Sequence, residues 1–252
     1  GTLPPRGPLH LSPGQTAGHV AAVTRAGLTA GFHVIGDRAL DTVLAAFDQV
    51  ATDPDLARAM RRLGHRLEHV ELVDQPAIDA LVRHGISVSV QPAFDAFWGG
   101  PGGMYETRLG AQRAGATTPV RSLLAAGIPT GLGSDAPVTP IDPWGAVTAA
   151  LFHHNRDQRV SARAAFRAHT RGAWRIGGAT TPGAGEIRIG SPADLAIWRC
   201  DELGVQAENS GRSSWSTDFR GGSPLLPILG PDSGPVTCLA TLRAGVEIFA
   251  EM

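Results

Sequence analysis

Four times along the chain a short run of β-branched and apolar residues is followed by a helical segment, and this alternation restricts the fold more than any other feature. Strands that alternate with helices of this length build a parallel sheet with the helices packed outside it. Ser12, Pro13 and Gln15 read as N-cap, first helical residue and capping-box partner of a helix over 13–26 that stops at Gly27. Residues 28–34 (LTAGFHV) follow as a strand, and 37–50 as a helix with Leu40, Val43, Leu44, Phe47 and Val50 on one face. Asp53-Pro54 opens a further short helix. The unit then recurs: a strand over 65–72, a helix over 74–84 closed by Gly85, and a strand over 86–91. A long loop is expected over 92–117, then a helix from Thr118-Pro119 to Gly127, a strand over 128–134, and helices over 143–153 and 161–176. Segments 185–199 and 236–250 are β-like with no helix between them, and 201–235 is rich in Gly, Ser and Pro. The expected division is therefore an α/β part over 1–184 and a small β-subdomain over 185–252.

Composition serves mainly to exclude. Hydrophobic residues make up 42% and charged residues 18% of the 252, which suits a packed core and not a disordered chain. A net charge of -1 gives no basic surface for nucleic acid or anionic lipid, and no apolar run is long enough to span a membrane. Cys200 and Cys238 make no disulfide framework, and residues 1–13 lack a basic start followed by an apolar stretch, so a cytoplasmic location is expected. All 22 basic residues are arginine, so chemistry that needs a lysine amine cannot be completed by these residues.

Three ionisable residues fall at equivalent places. His33 and His69 lie near the C-terminal ends of the first and second strands, and Asp135 follows the fourth. In parallel α/β folds those ends face the active-site mouth. Two imidazoles and a carboxylate converging there suit a divalent cation, with zinc expected, that acidifies bound water while a carboxylate takes the proton. Each residue alone has a plainer reading. A histidine at a strand end is usually a hydrogen-bonded structural residue, as His65 and His84 are expected to be, and Asp135 in Gly-Ser-Asp-Ala-Pro could be a turn residue. Their recurrence in successive units favours the metal site.

The motifs around these residues carry a resemblance. His33-Val34-Ile35-Gly36-Asp37-Arg38-Ala39 resembles the H-x-I-G-D-R-A signature of the YtcJ-like amidohydrolases, amidohydrolase family 3. Arg66-Leu67-Glu68-His69 resembles the family's R-I-E-H, Ser89-Val90-Gln91-Pro92 its M-Q-P, and Gly133 to Val138 its G-S-D-A-P-V. Glu106, Arg108, Leu109, Gly110 and Arg113 fit its E-x-R-L-G-x-x-R, and Gly190 with Ala193-Asp194-Leu195 its late G-K-x-A-D-L, with Ser191 where lysine is usual. The resemblance implies the C-terminal half, strands five to eight, of a TIM-type (β/α)8 metal-dependent hydrolase barrel plus a small β-sandwich subdomain.

It further implies hydrolysis of a C–N bond in an amide, formamide or N-acyl substrate through metal-activated water. His33, His69 and Asp135 would be metal ligands for one or two ions, with Asp135 also the catalytic proton acceptor. Arg38 is expected to pair with a carboxylate and hold the loop after the first strand. Arg113 is expected to take a substrate carboxylate, and Gln91 to meet substrate through its amide. The family's strand-one H-x-H and strand-four carboxylated lysine are absent from this sequence. Activity is therefore expected only with a complementary N-terminal half. That half, or self-association, is expected to cover the inward faces, lined by Val88 and Val90 or by their neighbours at alternate positions. A heterocycle deaminase of the same superfamily and a non-catalytic half-barrel subunit are the alternatives. His153-His154 is expected to be a solvated helix end.

Overall fold

A computed structural model describes residues 7–206 and 225–251. Four strands, β1 (Gly31–Val34), β2 (Arg66–His69), β3 (Ser87–Val90) and β4 (Thr130–Leu132), form one parallel sheet in the order β1-β2-β3-β4. Each strand returns through helices. Helix α1 (Pro13–Arg25) precedes β1. Helices α2 (Asp37–Val50) and α3 (Pro54–Leu63) join β1 to β2, and α4 (Gln75–His84) joins β2 to β3. After β4 come α9 (Pro143–Leu151), α10 (Ala162–Arg167), a π turn over 168–172 and α11 (Ala173–Ile176). Among the described residues no helix is long and apolar enough to cross a membrane.

The helix ends follow from side chains at the caps. Ser12 and Gln15 exchange the two capping-box bonds, the Gln15 Oε1 accepting from the Ser12 N–H at 2.9 Å. Asp53 and Asp74 accept from the first amides of α3 and α4. Gly85 ends α4 in the left-handed region, and a Cβ there would lie 3.2 Å from Arg61 Cα, so only glycine fits without displacement. The strand ladders are shorter than the apolar runs that carry them.

The segment over 92–117 is folded, against the expectation of a loop. It holds α5 (Pro92–Trp98), α6 (Met104–Leu109) and α7 (Ala111–Ala114), and α8 (Val120–Ala125) follows. Phe94, Tyr105 and Ala114, with Trp98, Met104 and Leu109 against them, give this cap its own apolar core, separate from the main one.

The two faces of the parallel sheet differ. Phe32, Leu67, Val88 and Val90 are buried in the core with Leu40, Phe47 and Leu81. Val88 and Val90 are 0% exposed, so of the two alternating sets expected to face inward it is not theirs that is left open. The alternate positions form a row across the sheet in register, His33–Glu68–Ser89–Gly131, which is polar or small. At its β4 end that face is covered from within the chain: a Cβ on Gly131 would lie 2.5 Å from Ile176 Cδ1 of α11, and Arg66 Nη1 donates to the Ile176 carbonyl at 3.4 Å. The outer edges of β1 and β4 have no strand partner among the described residues.

Strands β5 (Leu195–Arg199), β8 (Thr237–Arg243) and β9 (Val246–Ala250) make an antiparallel sheet in the order β5-β8-β9. It starts later than expected, since no strand covers 185–194. The β8–β9 hairpin turns at Ala244 and Gly245, both with positive φ as a two-residue type I′ loop requires. Arg243 ties this sheet to the α/β part, its guanidinium 4.9 Å from the centre of the Trp174 ring. Of the loop expected over 201–235, residues 207–224 lie outside the described residues. Its flanks pair as β6 (Leu203–Gly204) and β7 (Leu226–Pro227), and Leu226 and Leu229 join the main core.

Two buried histidines make the fold sensitive to acid. His65 Nδ1 accepts from the Ala30 N–H at 2.9 Å and its Nε2 lies 3.0 Å from Thr24 Oγ1. His153, expected in solvent, is buried too: its Nδ1 accepts from the Asn155 N–H and its Nε2 donates to the Thr118 carbonyl, both at 3.1 Å. Burial holds both below the ordinary histidine range. The unfolded chain therefore takes up these protons first. Stability from this source is complete above about pH 6.5 and falls as pH drops towards the folded values. Denaturant midpoints measured from about pH 7 down to about pH 5 should decline; a midpoint constant over that range would contradict this account.

Candidate metal centre

The register of β1 on β2 sets Val34 opposite His69 and His33 opposite Glu68. At the ends of these two strands His33 Nδ1 and His69 Nε2 come within 3.0 Å, their rings 4.5 Å apart and inclined by 71°. The other nitrogen of His69, Nδ1, lies 2.8 Å from Gln91 Oε1, and both side chains are buried. An amide oxygen can only accept, so with Gln91 oriented in this way the proton of His69 sits on Nδ1 and the lone pair of Nε2 faces His33. Gln91, expected to meet substrate, thus touches the site through His69. Its Nε2 reaches Ser89 Oγ at 3.5 Å.

His69 is held in an unusual backbone. Its φ is 75° and that of Val70 is 48°, so two consecutive non-glycine residues occupy the left-handed region. Such positions cost about 1–3 kcal/mol each and persist only where the surroundings over-determine them. Val70 N–H is fixed on the Val34 carbonyl at 2.8 Å, Thr118 N–H on the Glu71 carbonyl at 3.0 Å, and Leu72 bridges to Thr117. The ring of Phe94 stacks on His69 at 5.8 Å and 14°. Glu71 is buried, and burial pushes its carboxyl up while a hydrogen bond from Tyr105 acts the other way. The Tyr105 hydroxyl is held well above its ordinary range by burial and by Glu71.

Asp135 lies beyond β4, exposed, with φ at 55° and its carbonyl accepting from Val138 N–H at 2.8 Å. Burial, then His69, pushes His33 below the ordinary histidine range, and the Asp135 charge acts in the opposite direction. Two nitrogens bound to one zinc at about 2.0–2.1 Å would sit about 2.9–3.4 Å apart for angles between about 90° and 110°. The His33–His69 separation of 3.0 Å fits that requirement. The third expected ligand is not brought in: among the described residues no three of His, Cys, Asp or Glu come together closely enough to hold a metal ion. The donors present fit two ligands of a cation site.

The arginines divide differently from expectation. Arg38 is exposed and has no ion pair among the described residues. The loop after β1 is instead tied by Arg113, whose Nη2 lies 3.0 Å from Asp37 Oδ2 and so links α7 of the cap to the start of α2. Adjacent residues on a helix point in different directions, and a residue 76 positions away took the carboxylate. Sequence reasoning did not find Glu71, Tyr105 or Asp95. Asp95 is buried in α5 and accepts from the His154 N–H at 2.9 Å and from its Nδ1 at 3.1 Å. The available signals were a carboxylate two residues after His69 and the single tyrosine of the chain inside the presumed loop.

The sequence matches the profile of the amidohydrolase family over residues 2–249. It is 29% identical over 136 residues to YtcJ of Bacillus subtilis strain 168, a protein named as an amidohydrolase, covering 53% of this chain and 23% of that one. An uncharacterised metal-dependent hydrolase from Pyrococcus furiosus superposes with a TM-score of 0.62 at 26% identity, over 74% of this chain and 36% of that one. A variant of atrazine chlorohydrolase TrzN from Arthrobacter aurescens TC1, crystallised with zinc and atraton, gives 0.59 at 17% identity, over 95% of this chain and 48% of that one. At that identity the likeness is one of fold. The chain spans about half the length, or less, of these proteins.

The Gln91–His69 bond has a measurable consequence. Replacing Gln91 by Leu removes the acceptor that fixes the His69 tautomer, and loss of such an outer partner costs ~10–100-fold in metal affinity. Zinc titration of a folded Gln91→Leu protein should show that loss; an affinity equal to that of the wild type would contradict it.

Proposed function

Because the chain belongs to the amidohydrolase family, we propose that it forms the C-terminal half, strands five to eight, of a metal-dependent barrel hydrolase that cleaves a C–N bond in a small amide, formamide or N-acyl substrate. The observation that carries this reading is the meeting of His33 and His69 at the C-terminal ends of adjacent parallel strands, with the far nitrogen of His69 fixed by Gln91. In this reading residues 1–184 belong to the barrel and 185–252 to the β-subdomain. A cytoplasmic location belongs to the same reading.

His33 and His69 hold a divalent cation, with zinc favoured by the zinc present in the atrazine chlorohydrolase structure. Such a cation, when bound, lowers the pKa of water and polarises the carbonyl under attack. Asp135 stands at the end of the next strand but one and takes the proton released in the attack, then returns it to the leaving nitrogen. Gln91 and Phe94 keep the His69 ring in place and need no contact with substrate. Arg38, exposed just after β1 and without an ion pair among the described residues, suits an anionic group on the substrate, while Arg113 holds the cap down through Asp37.

Two ligands do not complete a catalytic zinc site, which takes three protein ligands and an open position. The remaining donors come from a region that corresponds to the unmatched part of the relatives, with the outer edges of β1 and β4, which have no strand partner among the described residues, as its seat. Self-association of the chain is the other way to occupy those edges. The hydrolytic assay follows from this. The isolated chain should not cleave N-acyl substrates. Mixed with a complementary fragment, it should gain chelator-sensitive hydrolysis that His69→Ala abolishes. Chelator-sensitive turnover by the isolated chain would remove the need for a second half, and turnover unaffected by His69→Ala would remove the site.

A further inference from the structure

We propose that the π turn over 168–172 and α11 form a strap across the outer edge of β4, and that no second copy of the chain can add a strand there while the strap is down. The Pro129 carbonyl accepts from the Val88 N–H at 2.9 Å, and the Gly133 N–H donates to the Val90 carbonyl at 3.1 Å. Residues 129, 131 and 133 therefore turn their peptide groups to β3, and Thr130 turns its carbonyl to the outer edge. The next strand of a parallel sheet would pair on that side. The π turn lies there instead: a Cβ on Gly172 would run into the Thr130 carbonyl oxygen. Helix α11 then crosses onto the polar face of the sheet, where a Cβ on Gly131 would lie 2.5 Å from Ile176 Cδ1 and 3.1 Å from Ala173 Cα. An edge strand left bare is a template for pairing with another chain, and covering it with a helix or loop prevents that.

Gly131 and Gly172 stand on opposite sides of one contact, the first on the strand and the second on the strap. The missing side chain at both lets helix backbone lie against strand backbone. The strap is also held from outside, by the chain that follows it. A Cβ on Gly185 would lie 2.7 Å from Arg171 Cα, and Arg171 Nη1 lies 2.7 Å from Glu186 Oε1. Arg243 of β8 sits over the Trp174 ring at 4.9 Å, so the β-subdomain bears on α11 as well. With the strap in place, the strandless edge left uncovered by it is that of β1. This goes beyond the reading of the chain as a half-barrel. A complementary half that closes on β4 must first displace the strap, and the strap exists whether or not such a half does.

The test uses the full chain alone. Hydrogen–deuterium exchange is read over 168–176 and over β1–β3, and sedimentation velocity is run across a concentration series. The wild type should protect 168–176 and form a species that does not grow with concentration. Gly131→Val puts bulk beneath Ile176 and should lift the strap. Residues 168–176 then lose their protection, and β4 of one copy pairs with β1 of the next in a head-to-tail contact that does not close, so the oligomers keep growing with concentration. Gly31→Val adds the same bulk to the same face at β1, where a Cβ would meet only the Arg66 carbonyl oxygen at 4.0 Å, and should behave as the wild type. If Gly131→Val loses the protection of β1–β3 and so does not fold, Ile176→Ala, which only withdraws the side chain over Gly131, should show faster exchange over 168–176 and the same growth. A folded Gly131→Val or Ile176→Ala protein that protects 168–176 as the wild type does overturns the proposal. So does one that loses this protection and keeps the wild-type oligomeric state. None of these outcomes depends on a second half, so the half-barrel reading can fall while the strap stands.

Discussion

A parallel strand pair places equivalent strand ends side by side, and the position of every group in the candidate centre depends on the register between β1 and β2. With Gly31 opposite Arg66 and Val34 opposite His69, the two imidazoles arrive at the same level of the sheet and within 3.0 Å of each other. A slip of one residue would send His33 to the face that packs on the helices. The register is held by the face opposite the site: Phe32, Leu67 and Val88 pack into one core with Phe47 and Leu81, and β2 cannot shift without moving Leu67 out of it. The energetic weight thus sits on the apolar side of the sheet, and the polar row His33–Glu68–Ser89 is left free for chemistry.

The cap supplies what the sheet cannot. The ladder ends at His69, and the chain leaves it in a conformation that non-glycine residues avoid. Conformations of that kind gather where function needs them, and here contacts from Gln91, Phe94 and Thr118 surround the turn. All three residues lie between β3 and β4, so the order of the segment over 91–118 and the aim of His69 are one matter.

The legible parts of the sequence were those with local causes. Helix α2 spans Asp37–Val50 as its apolar spacing indicates, and α1, α3 and α4 start and stop at the capping residues and glycines that name their ends. His33 and His69 were found because strand direction alone brings them to one place. The cap was not legible: helices of four to seven residues are shorter than the window in which helical periodicity can be recognised. Which face of β3 is buried was also out of reach, since Ser87-Val88-Ser89-Val90 alternates cleanly and alternation does not say which side faces the helices. The pairing of Arg113 with Asp37 depends on a contact across the fold that no local pattern encodes.

The central claim is that His33 and His69 are two ligands of one cation. Zinc-edge anomalous diffraction on crystals of the zinc-loaded protein, with its complementary half where one is required, measures it directly. The account predicts a single peak about 2.0–2.1 Å from both His33 Nδ1 and His69 Nε2. A peak bound elsewhere, with the His33–His69 contact still closed at 3.0 Å, would contradict it.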